Sequence, residues 1–301
     1  MSRDPRTDES APLTGPHADP TGDPPPDPRF VCDWTAVDDP DDTTQRWSTW
    51  HQVEPLCRGP QPYPDWLVTS RAAIDTECGV LKTGKEADVH LVERAVPGDP
   101  DLAVVLAAKR YRSTDHRSFH RSAVYTEGRR TRRSRDARAV AAKSAYGREV
   151  AAAQWATVEW DALVRLWSAG LAVPYPVQVD GTELLMEFVG EGTTAAPRLA
   201  ATRPAPDLLA SWWDQARAFV LDLAALGFVH GDLSPYNILA DGERLVVIDL
   251  PQLVDLAANP SAWDLLHRDC RTVARWFVTR GLDPRVADGE ALFGEAIAHA
   301  W

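Results

Sequence analysis

The chain has 301 residues, 44% of them hydrophobic and 25% charged, with a formal net charge of −12. That is ordinary globular composition, with enough length for one large or two modest domains and a real core. No run reaches the roughly 18 apolar residues of a membrane span, the start MSRDPRTDES lacks a secretory pattern, and Cys32, Cys57, Cys78 and Cys270 are scattered with no CxxC pair to suggest zinc. The expected setting is a reducing cytoplasm with free thiols, no membrane contact and no DNA specificity.

The charge is unevenly placed. Met1 to Gln45 holds eleven acidic residues against three basic ones, and Arg110 to Val150 holds twelve basic against four acidic. Residues 1–45 are rich in Pro, Asp and Thr and cannot bury enough apolar surface to offset their ordering entropy, so they are expected to be a disordered acidic tail. Residues 46–71, with several tryptophans and prolines, read as an extended arm that packs on the body.

From Ala72 the pattern becomes globular. Val80 to Val92 reads as two strands joined at Thr83-Gly84-Lys85, and Leu102 to Ala108 as a strand that delivers Lys109. After the basic segment 110–150, Trp155, Val158, Ala162, Leu163, Leu166 and Trp167 recur at helical spacing, with Gly170 as the stop. Val177–Val179 and Leu184–Val189 read as a strand pair about the Asp180-Gly181 turn, and 190–206 as loop. Trp212 to Ala224 marks the next helix, closed by Gly227. A hairpin turns at Asp241-Gly242, Trp263 to Phe277 carries a further helical stripe, and Gly289 to Trp301 a last short one. The fold class expected is α+β, with a small sheet-based lobe (72–189) joined to a mainly helical one (190–301) and a ligand cleft between them.

Several residues in this frame point to chemistry. Glu159 lies in the middle of an apolar helix face, where a carboxylate without a cation is costly. Lys109 at the end of an apolar strand poses the same question with opposite sign. Each answers the other if helix and strand pack together; otherwise Glu159 is a helix-edge residue that reaches water. Lys82-Thr83-Gly84-Lys85-Glu86 lies between strands and reads either as a phosphate cradle built from backbone N–H groups, a hydroxyl and an ammonium, or as a plain hairpin turn. Asp232, Asn237 and Asp249 stand at neighbouring strand ends. Phosphoryl transfer needs positioning, charge neutralisation and a group that orients the nucleophile. Asp232 fits the last role, and Asn237 with Asp249 could hold Mg2+ through oxygen atoms.

His230-Gly231-Asp232-Leu233-x-x-x-Asn237 resembles the catalytic loop of the protein-kinase superfamily. Ser234-Pro235-Tyr236-Asn237, followed by Ile248-Asp249-Leu250-Pro251-Gln252, is similar to the RIO kinases, as is the nucleotide loop Thr83-Gly84-Lys85-Glu86-Ala87. The resemblance spans about Ala72 to Val278. It implies a two-lobed protein-kinase-like fold that binds ATP with Mg2+ or Mn2+ and phosphorylates serine or threonine of a protein, itself included. Lys109, paired with Glu159, would contact the phosphates, Met186, Glu187, Phe188 and Val189 would form the hinge against adenine, and Asp232 would be catalytic. Asn237 and Asp249 would be metal ligands, and Asp249 could itself accept phosphate. Segment 110–150 would be the family's flexible loop, offering Ser113, Ser118, Ser122, Ser134 and Ser144 for autophosphorylation or its arginines to ribosomal RNA. The short stretch after Asp249 and the Pro251 beside it imply no peptide-docking subdomains and no in/out switch. An ATPase switch in ribosome assembly that uses a phospho-aspartate at Asp249, and a small-molecule phosphotransferase of the aminoglycoside or choline type, are the competing readings.

Overall fold

The computed structural model describes residues 44–112, 145–251 and 253–300. The expected acidic tail, apart from Thr44 and Gln45, and the serines Ser113, Ser118, Ser122, Ser134 and Ser144 lie outside the described residues, as does Gln252.

Three long strands build the first lobe: β2 (Ile74–Thr83), β3 (Ala87–Val96) and β4 (Asp99–Tyr111). With β1 (Gln45–Trp47), β5 (Pro176–Asp180) and β6 (Glu183–Glu187) they form an antiparallel sheet in the order β1-β2-β3-β4-β6-β5. Alternation along β4 buries Leu106 and Ala108 completely on one face. They join Trp50, Leu67, Val92, Tyr175, Val177 and Leu185 in one apolar cluster.

Residues 46–71 pack on this sheet through Trp50 and Leu67, as expected, and also pair with it at two points. Their first residues pair with β2, Trp47 opposite Ile74. Further on the Gly59 N–H donates to the Val177 carbonyl at 2.8 Å, beside a bridge from Arg58 to Gln178 on β5. Glycine is required there, because a Cβ on Gly59 would lie 2.2 Å from the Pro176 oxygen. The Arg58 guanidinium lies 5.9 Å from the centre of the Trp50 ring and donates to the Val53 carbonyl at 2.8 Å, which fixes the arm's course between the two strands.

Helix α1 (Ala145–Ser168) crosses behind the sheet and stops at Gly170, whose φ of 84° is in the left-handed region. β4 runs to Tyr111 and α1 begins at Ala145, so both ends of the segment 110–150 expected as loop are in regular structure. The cross-strand ion pairs of Arg110 with Glu183 and Glu77, and of Arg112 with Asp88, hold the β4 end in the ladder.

The stretch read as loop after Val189 also has structure. It holds the hairpin β7 (Gly190–Glu191) and β8 (Thr194–Ala195), then a 3-10 turn over Leu199–Ala201. Helix α2 (Pro206–Ala225) opens on Pro206, which suits a first-turn position because its missing N–H would have no partner there. β9 (Phe228–Val229) pairs with β12 (Val254–Asp255), and β10 (Ile238–Asp241) forms a hairpin with β11 (Arg244–Val247). Helices α3 (Ala262–Thr279) and α4 (Gly289–His299) close the second lobe. The α+β, two-lobed expectation thus holds. Among the described residues no helix is long and apolar enough to cross a membrane.

Candidate active site

Lys109 stands on β4 in a cross-strand row with Val89 on β3 and Lys82 on β2, so all three side chains leave the same face of the sheet. Its ammonium lies 2.8 Å from the Glu159 carboxylate and 2.9 Å from Asp249 Oδ1. The pairing read from the two misplaced charges is therefore present, with a third member. Glu159 is 2% exposed, and the Tyr111 hydroxyl donates to its second oxygen while the Leu250 N–H donates to the first at 3.3 Å. One carboxylate thus ties α1 to β4 and to the backbone that follows Asp249. Burial works against the charge on Lys109, but Glu159, Tyr111 and Asp249 more than offset it and hold the ammonium well above its ordinary pKa.

Asp249 is the one non-glycine residue at positive φ among those described, at 68°. Such a backbone costs energy and is characteristic of functional positions. Lys109 holds its carboxyl down to about 2 against the opposing effect of burial, so it stays ionised across the neutral range.

The loop from His230 to Asn237 is fastened to the strand that leads into Asp249. His230 Nε2 lies 3.2 Å from the Ile248 carbonyl, and the Asp232 N–H lies 3.3 Å from Nδ1. A carbonyl only accepts and an amide only donates, so both bonds are satisfied by a neutral ring protonated on Nε2. Burial, which lowers the imidazole pKa, favours that neutral form. Asn237 Nδ2 donates to the Asp232 carbonyl at 3.0 Å, which leaves its Oδ1 as the free acceptor. The Ile248 N–H closes the hairpin on the Asn237 carbonyl at 2.9 Å. Asp232 itself points at solvent, its side chain 59% exposed, with Arg268 Nη2 at 4.0 Å.

Asp269 supports this loop from beneath, and the sequence reading passed over it. It is 2% exposed on α3 and accepts the Gly231 N–H at 2.8 Å. The neighbouring Arg268 donates to the Gly231 carbonyl. The signal was available: Asp269 follows Leu265 and Leu266 at i+4 and i+3 on an apolar stripe, as Glu159 does on its own. Burial pushes the Asp269 carboxyl up to about 7, against the pull of the Leu233 and Gly231 N–H groups and of Arg268. Unfolded, it would titrate near the ordinary value of about 3.9. The folded chain therefore holds the extra proton between those two values, and its stability from this group falls as pH rises from about 4 to about 7. Urea unfolding across that range is expected to show this slope in the wild type and to lose it in Asp269→Asn.

Some backbone groups of the expected nucleotide loop and hinge are bonded within the chain. The Gly84 N–H is already bonded to the Ala87 carbonyl at 3.0 Å, and a Cβ at Gly84 would meet that oxygen at 2.6 Å. The turn is thus closed on itself, and Gly84 offers no N–H to a phosphate. The side chains of Lys82, Thr83 and Lys85 are exposed there, and the Glu86 carbonyl accepts the Arg112 N–H at 2.9 Å. At the expected hinge, Met186 and Glu187 end β6, with Phe188 and Val189 beyond it. The Glu187 N–H donates to the Tyr175 carbonyl at 2.8 Å, and the Val189 carbonyl accepts the Ala196 N–H at 3.0 Å. Those two groups are spent within the chain.

The described residues contain no cluster of three or more His, Cys, Asp or Glu suited to a metal. Asn237 and Asp249 offer two hard oxygen donors and no more. That is the sparse protein set Mg2+ accepts when phosphate oxygens and water complete its shell.

The chain can now be set beside known proteins. A family model described as the RIO domain matches residues 105–290. The chain is 36% identical over 220 residues to the RIO-type serine/threonine-protein kinase Rio1 of Haloferax volcanii, covering 73% of this chain and 68% of that protein. It is 30% identical over 224 residues to the serine/threonine-protein kinase RIO1 of Chaetomium thermophilum, covering 71% of this chain but 41% of the relative. With the serine/threonine-protein kinase RIO3 of Caenorhabditis elegans it shares 28% identity over 222 residues, or 39% of that protein's length. A buried Lys–Glu pair, an Asp–Asn loop and a strained Asp at a strand end thus coincide with a match over most of the chain, which belongs to the RIO-type serine/threonine-protein kinase family.

Proposed function

We propose that the chain transfers the terminal phosphoryl group of ATP to serine or threonine hydroxyls of proteins, its own included. The observation that carries this is the bridge of Lys109 between Glu159 and Asp249, facing a loop that presents Asp232 to solvent. Lys109 would engage the nucleotide phosphates, and Asp232 would orient the acceptor hydroxyl and take its proton. Adenine would be read at the hinge by backbone groups not already used, the Val189 N–H among them. A divalent cation, Mg2+ or Mn2+, would be held by Asn237 Oδ1 and the ionised Asp249, and when bound supplies neutralisation of phosphate charge. The family assignment favours this reading over a small-molecule phosphotransferase. Incubation of the purified chain with γ-labelled ATP and Mg2+ tests it. Label is expected on serine or threonine of the chain or of an added protein, and absence of label from both overturns the proposal.

A second reading, an ATPase switch through a phospho-aspartate, draws on Asp249. Its side chain is 44% exposed although the residue is held ionised by Lys109, which leaves a charged oxygen open to attack a phosphoryl group. Label that hydroxylamine removes, lost in Asp249→Asn, would favour this over stable serine phosphate.

A further inference from the structure

We propose that Tyr236 is a specificity-determining residue whose ring holds the guanidinium of an arginine directly before the acceptor serine. The proposal rests on the reading of the chain as a protein kinase that takes its own serines among its acceptors.

Of the residues from His230 to Asn237, only Asp232 and Tyr236 are exposed. Tyr236 is 66% exposed, and neither its hydroxyl nor its ring has a partner among the described residues. A large aromatic side chain left in water beside the proposed catalytic carboxylate calls for an occupant. Its backbone is not free to fold the ring away. The Ala200 N–H donates to the Pro235 carbonyl at 2.9 Å, and the Asn237 N–H to the Ser234 carbonyl at 2.9 Å. The Asn237 amide reaches back to the Asp232 carbonyl at 3.0 Å, so carboxylate and ring leave one tight turn. An acceptor hydroxyl placed on Asp232 brings the residue beside it within reach of Tyr236.

The chain's own serines show which residue that is. Ser113, Ser118, Ser122, Ser134 and Ser144 directly follow Arg112, Arg117, Arg121, Arg133 and Lys143. None of the eight other serines follows a basic residue. Basic residues fill twelve of the 41 positions from Arg110 to Val150, so composition alone would put one before only one or two of the five. Arg112 is committed to Asp88, which sets Ser113 apart from Ser118, Ser122 and Ser134. A guanidinium stacks on an aromatic face, and arginine does so more readily than lysine. Asp232 attracts such a cation while Arg268, 4.0 Å from Asp232, opposes it; the Tyr236 ring carries no such conflict. Successive side chains of an extended segment point to opposite sides. Arginine and serine therefore reach the loop together only where the acceptor segment turns.

Transfer from ATP by the full chain to short peptides tests the assignment. One peptide has the sequence of residues 115–120, and two others carry Arg117→Ala or Arg117→Lys. A cation–π contact at an exposed site corresponds to about a two- to fivefold difference. The wild type is expected to prefer the parent over the Arg117→Ala peptide by about that factor in kcat/KM, expressed in KM, with Arg117→Lys between. Tyr236→Phe is expected to keep the preference, because the ring alone makes the contact, and Tyr236→Ala to abolish it. Equal use of the parent and Arg117→Ala peptides by the wild type overturns the proposal and leaves the kinase reading standing. A preference that survives in Tyr236→Ala does the same, and one lost in Tyr236→Phe overturns the contact with the ring. Where only the chain itself is labelled, the sites are expected at serines that follow arginine, and label confined to other residues overturns the proposal. Absence of transfer to every peptide and to the chain itself removes the kinase reading and the proposal together.

Discussion

Replacing Asp232 with asparagine is expected to lower labelling from ATP by a factor of about 10²–10⁴, the usual contribution of a positioned general base. The geometry says that this loss will be chemical rather than structural. The Asp232 side chain is 59% exposed and its nearest cation, Arg268, is 4.0 Å away. Removing such a charge costs little stability, because exposed pairs contribute about 0–1 kcal/mol. The bonds that hold the loop use the Asp232 backbone, through the Asn237 amide and the His230 ring, and asparagine keeps them. The variant should therefore melt with the wild type and bind ATP as it does. Labelling at the wild-type rate in a folded Asp232→Asn would take this carboxylate out of the catalytic role.

The second large effect is expected at Lys109 and Glu159, and here stability and activity should fall together. Removing one partner of a buried pair leaves the other charge without compensation, at a cost of about 3–5 kcal/mol. The low end applies to Lys109→Met, because Glu159 keeps the Tyr111 hydroxyl and the Leu250 N–H. It applies to Glu159→Leu as well, because Lys109 keeps Asp249. The informative protein is the double variant. Replacing both charges by apolar residues of similar size is often neutral for stability, so Lys109→Met with Glu159→Leu should recover much of what each single change loses in urea unfolding. Activity should not recover, since the group proposed to engage the phosphates is gone. Labelling that returned along with stability would mean the pair serves the fold alone.

How much of this was legible in the sequence depended on whether a feature declared itself locally. Glu159 and Lys109 did, because each is a charge that breaks an apolar pattern, and their contact at 2.8 Å follows from that conflict. The hairpin before Asp249 did, through alternation about Asp241-Gly242. Asp269 broke its stripe in the same way and was overlooked, because the helix was traced through its apolar members alone. Arg198 gave no such sign. It sits in the stretch read as loop, and only its bridge to Leu239 fixes it beside the Asn237 hairpin. The course of residues 46–71 was equally hidden. Gly59 looks like one more loop glycine until the Pro176 carbonyl is found where its side chain would be.

That arm has a consequence for the sheet as a surface. An outermost strand exposes a row of unpaired backbone donors and acceptors, a template for any foreign strand. In this protein the outermost positions would belong to β2 and β5, and one continuous stretch of chain occupies part of both, at Trp47 on one flank and Gly59 on the other. The same twenty-odd residues that resemble a connector thus guard two templating rows at once. A shortened chain that begins at Ala72 would keep every residue of the proposed catalytic centre, yet bare both rows and invite the strand-to-strand aggregation that the intact molecule blocks.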